Sequence, residues 1–193
     1  MRAETHPFGS EHKRWLIVIM LAGFGVVNYL DRQALSVLAP TLRKELGITT
    51  EQYSYIVSTF LTAYGIGYAI TGRMLDRIGV KLGLALALAF WSFIGMAHAA
   101  AIGWLTLACA RFLLGLGQAA NSPGGMKALA EWIPPRERGL CSAIFSNSNS
   151  LGSVVAPPII AGLALWLGWR WAFLIAGATG FGLLLLWWRF YDS

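Results

Sequence analysis

The sequence predicts an all-α membrane protein with six transmembrane helices. Hydrophobic residues make up 56% of the 193 residues and charged residues only 12%, a composition that excludes an ordinary soluble domain of this length. The apolar residues fall in six runs, each about as long as a helix needs to cross a bilayer, at 15–39, 53–72, 82–101, 104–125, 140–165 and 171–190. The net charge of +6 comes largely from short basic clusters between the runs, so it does not indicate binding to nucleic acid.

The segments between the runs carry charge or residues that end helices. In chain order they are Arg43-Lys44-Glu45 with Gly47, the polar stretch 72–81, an uncharged turn at Gly103, Pro134-Pro135, and Gly168-Trp169-Arg170. Thr49 or Thr50 could cap the second helix. The first run is too long for a signal-peptide core and should remain as a helix. We therefore expect a tail at 1–14, a six-helix unit at 15–190 and the start of a linker at 191–193.

The distribution of Lys and Arg predicts which ends face the cytoplasm. If the amino terminus is cytoplasmic, ten of these residues lie on that side and three on the other. Membrane proteins carry their positive loops inside, so both termini are expected to be cytoplasmic. Six tryptophans at the ends of the runs are predicted to lie at the membrane interfaces, namely Trp104, Trp166, Trp169, Trp171, Trp187 and Trp188.

Two adjacent charges, Asp31 and Arg32, interrupt the first apolar run. The rise of a helix places Asp31 about 24 Å along the axis from Trp15, which is still within the membrane or at its boundary. An unpaired charge at mid-helix costs about 2.5–3.5 kcal/mol, so both side chains should face the protein interior or a watery cavity. The alternative is a charged helix end that reaches the headgroups. The apolar run continues from Ala34 to Ala39, which favours the interior position.

The stretch 72–81 has the spacing G-x-x-x-D-R-x-G-x-K between the second and third runs. Asp76 can pair at a helix end, Arg77 can reach a neighbouring segment, and Gly72 and Gly79 permit close packing and a tight turn. An ordinary positive cytoplasmic loop is the alternative interpretation. In spacing and position the stretch resembles the signature of the major facilitator superfamily, in which this loop latches the two halves in the outward-facing state. The resemblance implies that role for Gly72, Asp76, Arg77 and Gly79.

Over nearly its whole length the chain also resembles the anion:cation symporters of that superfamily, close to the hexuronate and aldonate transporters. The matching stretches are Tyr29-Leu30-Asp31-Arg32, Ala39-Pro40-Thr41-Leu42, Gln52-Tyr53-Ser54-Tyr55, Ala110-Arg111-Phe112, Gly117-Gln118-Ala119-Ala120, 127–134, Ile144-Phe145-Ser146-Asn147 and Ala156-Pro157-Pro158. Members of that family have twelve helices in two halves, with the substrate between them. We expect this chain to be the amino-terminal half, completed by a missing carboxy-terminal half or by a second copy.

The resemblance implies roles for seven residues of the predicted cavity. Arg32 and Arg111 would bind a carboxylate from opposite walls, because a guanidinium offers a planar, permanently charged fork. Gly115 shares a helix face with Arg111 and is expected to leave room beside it. Asp31 would carry the coupled proton. The polar body of the substrate would contact Tyr29, Tyr64, Gln118 and Asn149.

Each role has an alternative. The arginines could form salt bridges between helices, Asp31 could belong to a static ion pair that aids insertion, and Asn149 could serve polar contacts between helices. Gln118 also departs from the family, whose members usually carry a glutamate there that is implicated in proton coupling. Glutamine cannot titrate.

The predicted function is secondary active transport of a sugar acid or another organic monocarboxylate, coupled to protons, across a bacterial inner membrane. The alternatives are an organic-anion exchanger without net proton flux, and a truncated or non-transporting membrane protein. The expected partners are the organic anion, the proton, membrane lipid and the second half. No cofactor, metal or enzymatic activity is predicted, since His6, His12 and His98 have no ligand partners and no nucleophile triad, phosphate loop or Cys cluster is present.

Overall fold

The computed structural model describes residues 11–191, which are almost entirely helical. The helices are α1 (Glu11–Glu45), α2 (Thr50–Ile78), α3 (Val80–Ala97), α4 (Trp104–Gln118), α5 (Asn121–Trp132), α6 (Arg138–Leu167) and α7 (Trp169–Phe190), with a 3-10 turn at His98–Ala100. The predicted all-α fold is confirmed. α1 already begins within the predicted tail 1–14, while positions 1–10 of that tail and 192–193 of the linker lie outside the described residues.

Four of the described helices are long and apolar enough to cross a membrane. They are α1, α3 together with the 3-10 turn, α6 and α7. α2 is also long, at 29 residues, but it is richer in Tyr, Ser and Thr. α4 and α5 are each too short to span a bilayer alone.

The fourth predicted run is divided between α4 and α5. Ala119 and Ala120 separate the two helices but keep right-handed helical dihedral angles, so the chain does not reverse. Pro123 lies in the first turn of α5. It cannot donate a hydrogen bond to the carbonyl of Ala119, and its ring crowds that carbonyl. We assign the break to this proline, and with α4 and α5 counted as one divided helix the bundle matches the six predicted runs.

The helices pack mainly in three pairs, α1 with α6, α2 with α4 and α3 with α7, and α1 also packs on α7. A glycine allows each close approach. A Cβ built at Gly152 would lie 2.8 Å from the Cβ of Tyr29 in α1, and one at Gly115 would lie 2.6 Å from the carbonyl oxygen of Phe60 in α2. At Gly177 in α7 the corresponding distance is 2.6 Å to a backbone nitrogen of α3. No larger residue fits these positions without displacing a neighbouring helix.

The stretch 72–81 is not a loop, contrary to the prediction. α2 continues through its charged residues to Ile78 and α3 begins at Val80, so only Gly79 stands between them. Its φ of +80° is one that glycine adopts without strain, which explains the tight turn. At the other end of α2, Thr49 is the cap, and it forms a reciprocal capping box with Gln52.

Two of the six tryptophans predicted at the membrane interfaces belong to the protein core instead. Trp187 is fully buried and donates its indole hydrogen to the carbonyl of Lys81 at 3.0 Å. Trp169 is 3% exposed and donates to the carboxylate of Glu45 at 2.7 Å. Both residues lie near an end of α7, but they lie on the side of the helix that faces the bundle, and this is why they are buried. The other four are exposed, as an interfacial position requires: Trp104, Trp166, Trp171 and Trp188.

Candidate functional site

Arg32 lies in an aromatic cage on one side of α1. The guanidinium carbon is 4.5 Å from the ring centroid of Tyr64, 5.0 Å from that of Phe60 and 5.4 Å from that of Tyr29. Such contacts stabilise a cation while leaving its in-plane N–H groups available. The Nε hydrogen is donated to the amide oxygen of Gln118 at 3.1 Å. Within residues 11–191, both Nη groups of Arg32 remain without a hydrogen-bond partner, so they could receive a ligand.

Arg111 comes from α4 and is almost completely buried. Its Nη2 donates to the backbone carbonyl of Asp31 at 3.3 Å, and its buried Nε has no hydrogen-bond partner. The guanidinium carbon is 5.9 Å from the ring centroid of Phe60, the same ring that faces Arg32. α1 and α4 therefore bring two guanidinium groups to a single aromatic ring, although like charges repel.

Asp31 is buried, with 3% of its surface exposed, but it does not pair with its neighbour in sequence. Its Oδ1 lies 3.2 Å from the position that a Cβ on Gly95 of α3 would occupy, and its Oδ2 has no hydrogen-bond partner. Among residues 11–191 no Asp31–Arg32 ion pair is formed, and the guanidinium group that interacts with the Asp31 carboxyl group is that of Arg111.

Gln118 connects the two sides of this network. Its amide oxygen accepts the hydrogen bond from Arg32, which fixes the orientation of the amide because a guanidinium can only donate. The amide nitrogen then points the other way. It donates to the backbone carbonyl of Asn28 at 3.4 Å and lies beside the carboxyl group of Asp31. Gln118 is fully buried, so this bridge is shielded from water.

The structure brings together most of the predicted substrate residues. Tyr29 and Tyr64 contact Arg32, and Arg111 and Gln118 belong to the same network. Asn149 lies on α6 against Gly25, one helical turn before Tyr29 in α1. Its Oδ1 is buried without a hydrogen-bond partner.

Two further residues of the network, Phe60 and Asn28, are not predicted from the sequence. Phe60 is stacked on Tyr64 with ring centroids 6.0 Å apart, and its spacing of four residues from Tyr64 was the available signal. Asn28 contributes a backbone carbonyl, which sequence cannot indicate. The expected space beside Arg111 is also absent, because the backbone of α2 fills the position that a side chain at Gly115 would take.

The four residues of the predicted latch are dispersed over the end of α2. Asp76 forms an ion pair with Lys127 of α5 at 2.5 Å, and 70% of its side-chain surface is exposed. Gly79 makes the turn into α3. Gly72 has no atom within 4 Å of its built Cβ, and the exposed Arg77 bonds to no other side chain in the described part of the protein. Close packing at Gly72 is therefore not provided by residues 11–191.

A buried arginine and a buried carboxyl group inside a bundle of long apolar helices are typical of multi-pass membrane transport proteins. Residues 21–193 match the sequence model of the Major Facilitator Superfamily, and the chain belongs to this superfamily. This is a family of transporters, not of enzymes.

The chain is similar to several bacterial sugar-acid transporters. It is 36% identical over 178 residues to the hexuronate transporter of Escherichia coli (strain K12), which covers 92% of this chain and 41% of that protein. It is equally similar to the galacturonate transporter of Dickeya chrysanthemi, with 36% identity over 92% of this chain and 52% of that protein. The probable L-galactonate transporter of Escherichia coli (strain K12) is 35% identical over 91% of this chain and 39% of its own length. The chain thus spans about half the length of these relatives or less.

Solved structures show the same fold. The bacterial homolog of the human lysosomal transporter Spinster, in an inward-facing and occupied conformation, superposes with a TM-score of 0.87 at 21% identity over 96% of this chain and 46% of that protein. The proton:xylose symporter bound to 6-bromo-6-deoxy-D-glucose gives a TM-score of 0.82 at 17% identity over 92% of this chain and 45% of that protein. The predicted resemblance to this superfamily is confirmed.

Proposed function

We propose that this chain is the amino-terminal six-helix half of a secondary transporter for a sugar acid or another organic monocarboxylate. The observation that carries the proposal is the caged guanidinium of Arg32, whose two Nη groups are available beside the buried Arg111. The similarity to hexuronate, galacturonate and galactonate transporters supports the substrate class. The protein resides in the bacterial inner membrane with both termini in the cytoplasm, in keeping with the excess of basic residues on that side.

The charge balance of the site favours an anion. Two guanidinium groups, the buried one of Arg111 and the partly buried one of Arg32, share the site with one carboxyl group, so the site carries at least one uncompensated positive charge. A buried, unpaired charge is costly, and a substrate carboxylate removes that cost. A neutral sugar would leave it in place. Arg32 supplies a bidentate fork to the carboxylate, and Arg111 adds the second positive charge.

The remaining predicted residues suit the polar body of such a substrate. Tyr29 and Tyr64 present phenol groups beside Arg32, and Asn149 has an unpaired carbonyl oxygen on the adjoining helix. Gln118 acts mainly through Arg32, since its amide oxygen holds the guanidinium in place. A second half, or a second copy of this chain, would supply the other wall of the cavity.

Asp31 is the proposed carrier of the coupled proton, because it is a buried carboxyl group that contacts this network. An alternative is exchange of organic anions without net proton flux, which the presence of the non-titrating Gln118 favours. The proposed latch is formed by Gly72, Asp76, Arg77 and Gly79. Within residues 11–191, the surface at Gly72 is open and Arg77 bonds to no other side chain, which leaves both available to contact the second half.

Uptake into proteoliposomes tests the proposal. Radiolabelled galacturonate, glucuronate and galactonate are offered to the 193-residue chain alone and to the chain joined to a carboxy-terminal half from one of the sugar-acid transporters above. We expect saturable uptake of at least one of the three compounds by one of the two forms. Uptake by neither form, with both proteins folded, would refute the assignment of substrate class.

Two substitutions separate the roles of the charged residues. Arg111→Lys should weaken uptake sharply, since an ammonium group cannot reproduce the fork of a guanidinium. Arg73→Lys, on the exposed face of α2, is the matched control and should leave uptake unchanged.

Asp31→Asn should abolish accumulation driven by a pH gradient while exchange of internal for external substrate continues. Accumulation by Asp31→Asn at the level of the unmodified protein would exclude the coupling role, and exchange in both proteins without any response to pH would establish the exchanger.

A further inference from the structure

An apolar groove to which the proposed function gives no role runs between α3 and α7. It encloses about 550 Å³, which is within the range of about 300–1,000 Å³ that small-molecule sites occupy. Ala85 is buried and Ala89 is partly buried, whereas Leu86 is 53% exposed and Leu185 is 73% exposed. The apolar residues that line the groove are Leu82, Ala85, Leu86, Ala89, Leu184 and Leu185.

The length of the groove suits a hydrocarbon chain of one membrane leaflet. Its lining positions on α3 follow one another at i, i+3, i+4 and i+7 from Leu82 to Ala89, so they share one face of the helix. Seven residues of helix span about 10 Å. One leaflet contributes about 15 Å, half of the hydrocarbon core, so the groove is about two-thirds as long as a leaflet is thick.

Two cations lie where the groove meets the first turn of α3 and the last turn of α7. Arg189 lines the groove itself. Lys81 lines an adjoining cavity of about 450 Å³, which shares Leu82 and Trp188 with the groove and is therefore continuous with it. The ammonium group of Lys81 is 5.6 Å from the ring centroid of Trp188. Within residues 11–191, neither Lys81 nor Arg189 forms an ion pair.

The charge balance at this end of the groove is positive. Glu131 is the one acidic side chain among the described residues that line either cavity, and its carboxylate already accepts the hydroxyl hydrogen of Tyr191 at 2.6 Å. In the described structure no side chain caps the first turn of α3 after Gly79, so the helix end adds partial positive charge to the two cations. A second groove, between α2, α3 and α4, has no charged residue among the described residues that line it. The α3–α7 groove therefore differs from a merely apolar surface in favouring an anion.

The groove also lies away from the proposed substrate cavity. That cavity is on the side of α1 where Arg32 meets the rings of α2. α3 approaches α1 from the side that carries Asp31, and Gly95 of α3 lies against both Asp31 and Gly177 of α7. A second half that closes the cavity therefore leaves the α3–α7 groove facing the lipid.

We propose that this groove binds one anionic phospholipid of the cytoplasmic leaflet, with an acyl chain along the apolar lining and the charged headgroup at the end that carries Lys81 and Arg189. Basic pockets between transmembrane helices on the cytoplasmic side bind such headgroups. Trp188 is 57% exposed at the same end, as an indole at headgroup level requires. The choice of leaflet rests on the orientation given with the proposed function, whereas the binding itself does not.

Native mass spectrometry of the purified 193-residue chain tests the proposal by counting bound lipids during titration. Phosphatidylglycerol and phosphatidylcholine are compared with identical acyl chains. Each basic residue gives about a fivefold gain for an anionic lipid, so phosphatidylglycerol should bind about thirtyfold more tightly. Lys81→Gln combined with Arg189→Gln should remove this preference. Arg73→Gln combined with Arg136→Gln removes the same charge from exposed positions outside the groove and should retain it.

The apolar part of the site is tested without a change of charge. Ala89→Phe fills the groove and should lower the affinity for both lipids. Glycerol phosphate has a phosphate group but no acyl chains, and it should not displace phosphatidylglycerol. If the lipids dissociate in the gas phase, the unfolding midpoint in each lipid provides the second measurement. Phosphatidylglycerol should raise the midpoint more than phosphatidylcholine does in the unmodified chain, and equally in the variant that lacks both cations.

Equal affinity for the two lipids would overturn the proposal, and so would the same loss of preference in the control pair, which would indicate a general effect of net charge. Displacement by glycerol phosphate would indicate a site for a free anion. Loss of phosphatidylglycerol binding when the chain is joined to a carboxy-terminal half would show that the second half covers the groove. Failure of sugar-acid uptake with an intact lipid preference would refute the proposed function and leave the lipid site standing.

Discussion

Replacing Gly115 by alanine tests the contact that places α2 beside the buried arginine. A Cβ built at Gly115 lies 2.6 Å from the carbonyl oxygen of Phe60 and 3.2 Å from the backbone nitrogen of Tyr64. Ordinary van der Waals contact begins near 3.4 Å, so α2 would have to move by about 0.8 Å. Overpacking of this kind costs about 1–3 kcal/mol, partly offset by about 0.5–1 kcal/mol of helix propensity gained by alanine. The displaced backbone carries two of the rings around Arg32, so the cage should loosen as well.

Gly65 of α2 provides the matched control, because nothing lies within 4 Å of its built Cβ. Gly65→Ala should gain the helix propensity alone, so the two variants should differ by about the full overpacking cost of 1–3 kcal/mol. Unfolding of both purified variants in the same detergent, followed by circular dichroism, measures this difference. Equal midpoints for Gly115→Ala and Gly65→Ala would refute the argument that the α2–α4 contact has no space for a methyl group.

Three further predictions concern the end of the bundle that carries the last turn of α7. Tyr191→Phe removes the hydrogen bond from the buried Tyr191 to Glu131, 2.6 Å long, and should destabilise the fold by about 1–2 kcal/mol in the same unfolding assay. Burial, together with the bond to Glu131, raises the pKa of Tyr191, so the folded state keeps its phenol proton where an unfolded tyrosine loses it. Stability should therefore fall above about pH 10 in the unmodified protein and fall less steeply in Tyr191→Phe; parallel curves would contradict this. Lys127→Ala breaks the ion pair with the exposed Asp76 and should change stability by less than about 1 kcal/mol.

The number and type of the helices could be predicted from sequence because the membrane imposes long apolar runs. The carboxy-terminal end of α2 could not be predicted in this way. The glycine and the three charged residues between Gly72 and Ile78 suggest a loop, but charged residues with long side chains are good helix formers. The charged side chains there are exposed at the end of the helix, so their polarity does not require a loop. Only Gly79 interrupts the helical backbone, with a positive φ that glycine adopts without strain, so the glycine itself is the sequence signal of the turn.

The division between α4 and α5 was missed although a signal was present. The break falls at Ala119 and Ala120, and alanine is the strongest helix former, so the residues at the break gave no warning. Pro123 acts four residues upstream through the carbonyl that it crowds. The prolines of the other runs do not divide their helices, because α1 continues through Pro40 and α6 through Pro157 and Pro158.

In the candidate site, the sequence does not indicate which partners adjacent side chains contact, because this depends on the direction in which each one leaves the helix. Asp31 and Arg32 are neighbours in sequence, and the sequence predicts only that both face the protein interior or a watery cavity. On a helix adjacent side chains point about 100° apart, and here they face different partners, Asp31 toward Gly95 of α3 and Arg32 toward the rings of α2. Because α1 stands between these two environments, the proposed function places proton exchange on one side of the helix and anion binding on the other. Gln118 contacts both Asp31 and Arg32, so it is the side chain that connects the two proposed sites.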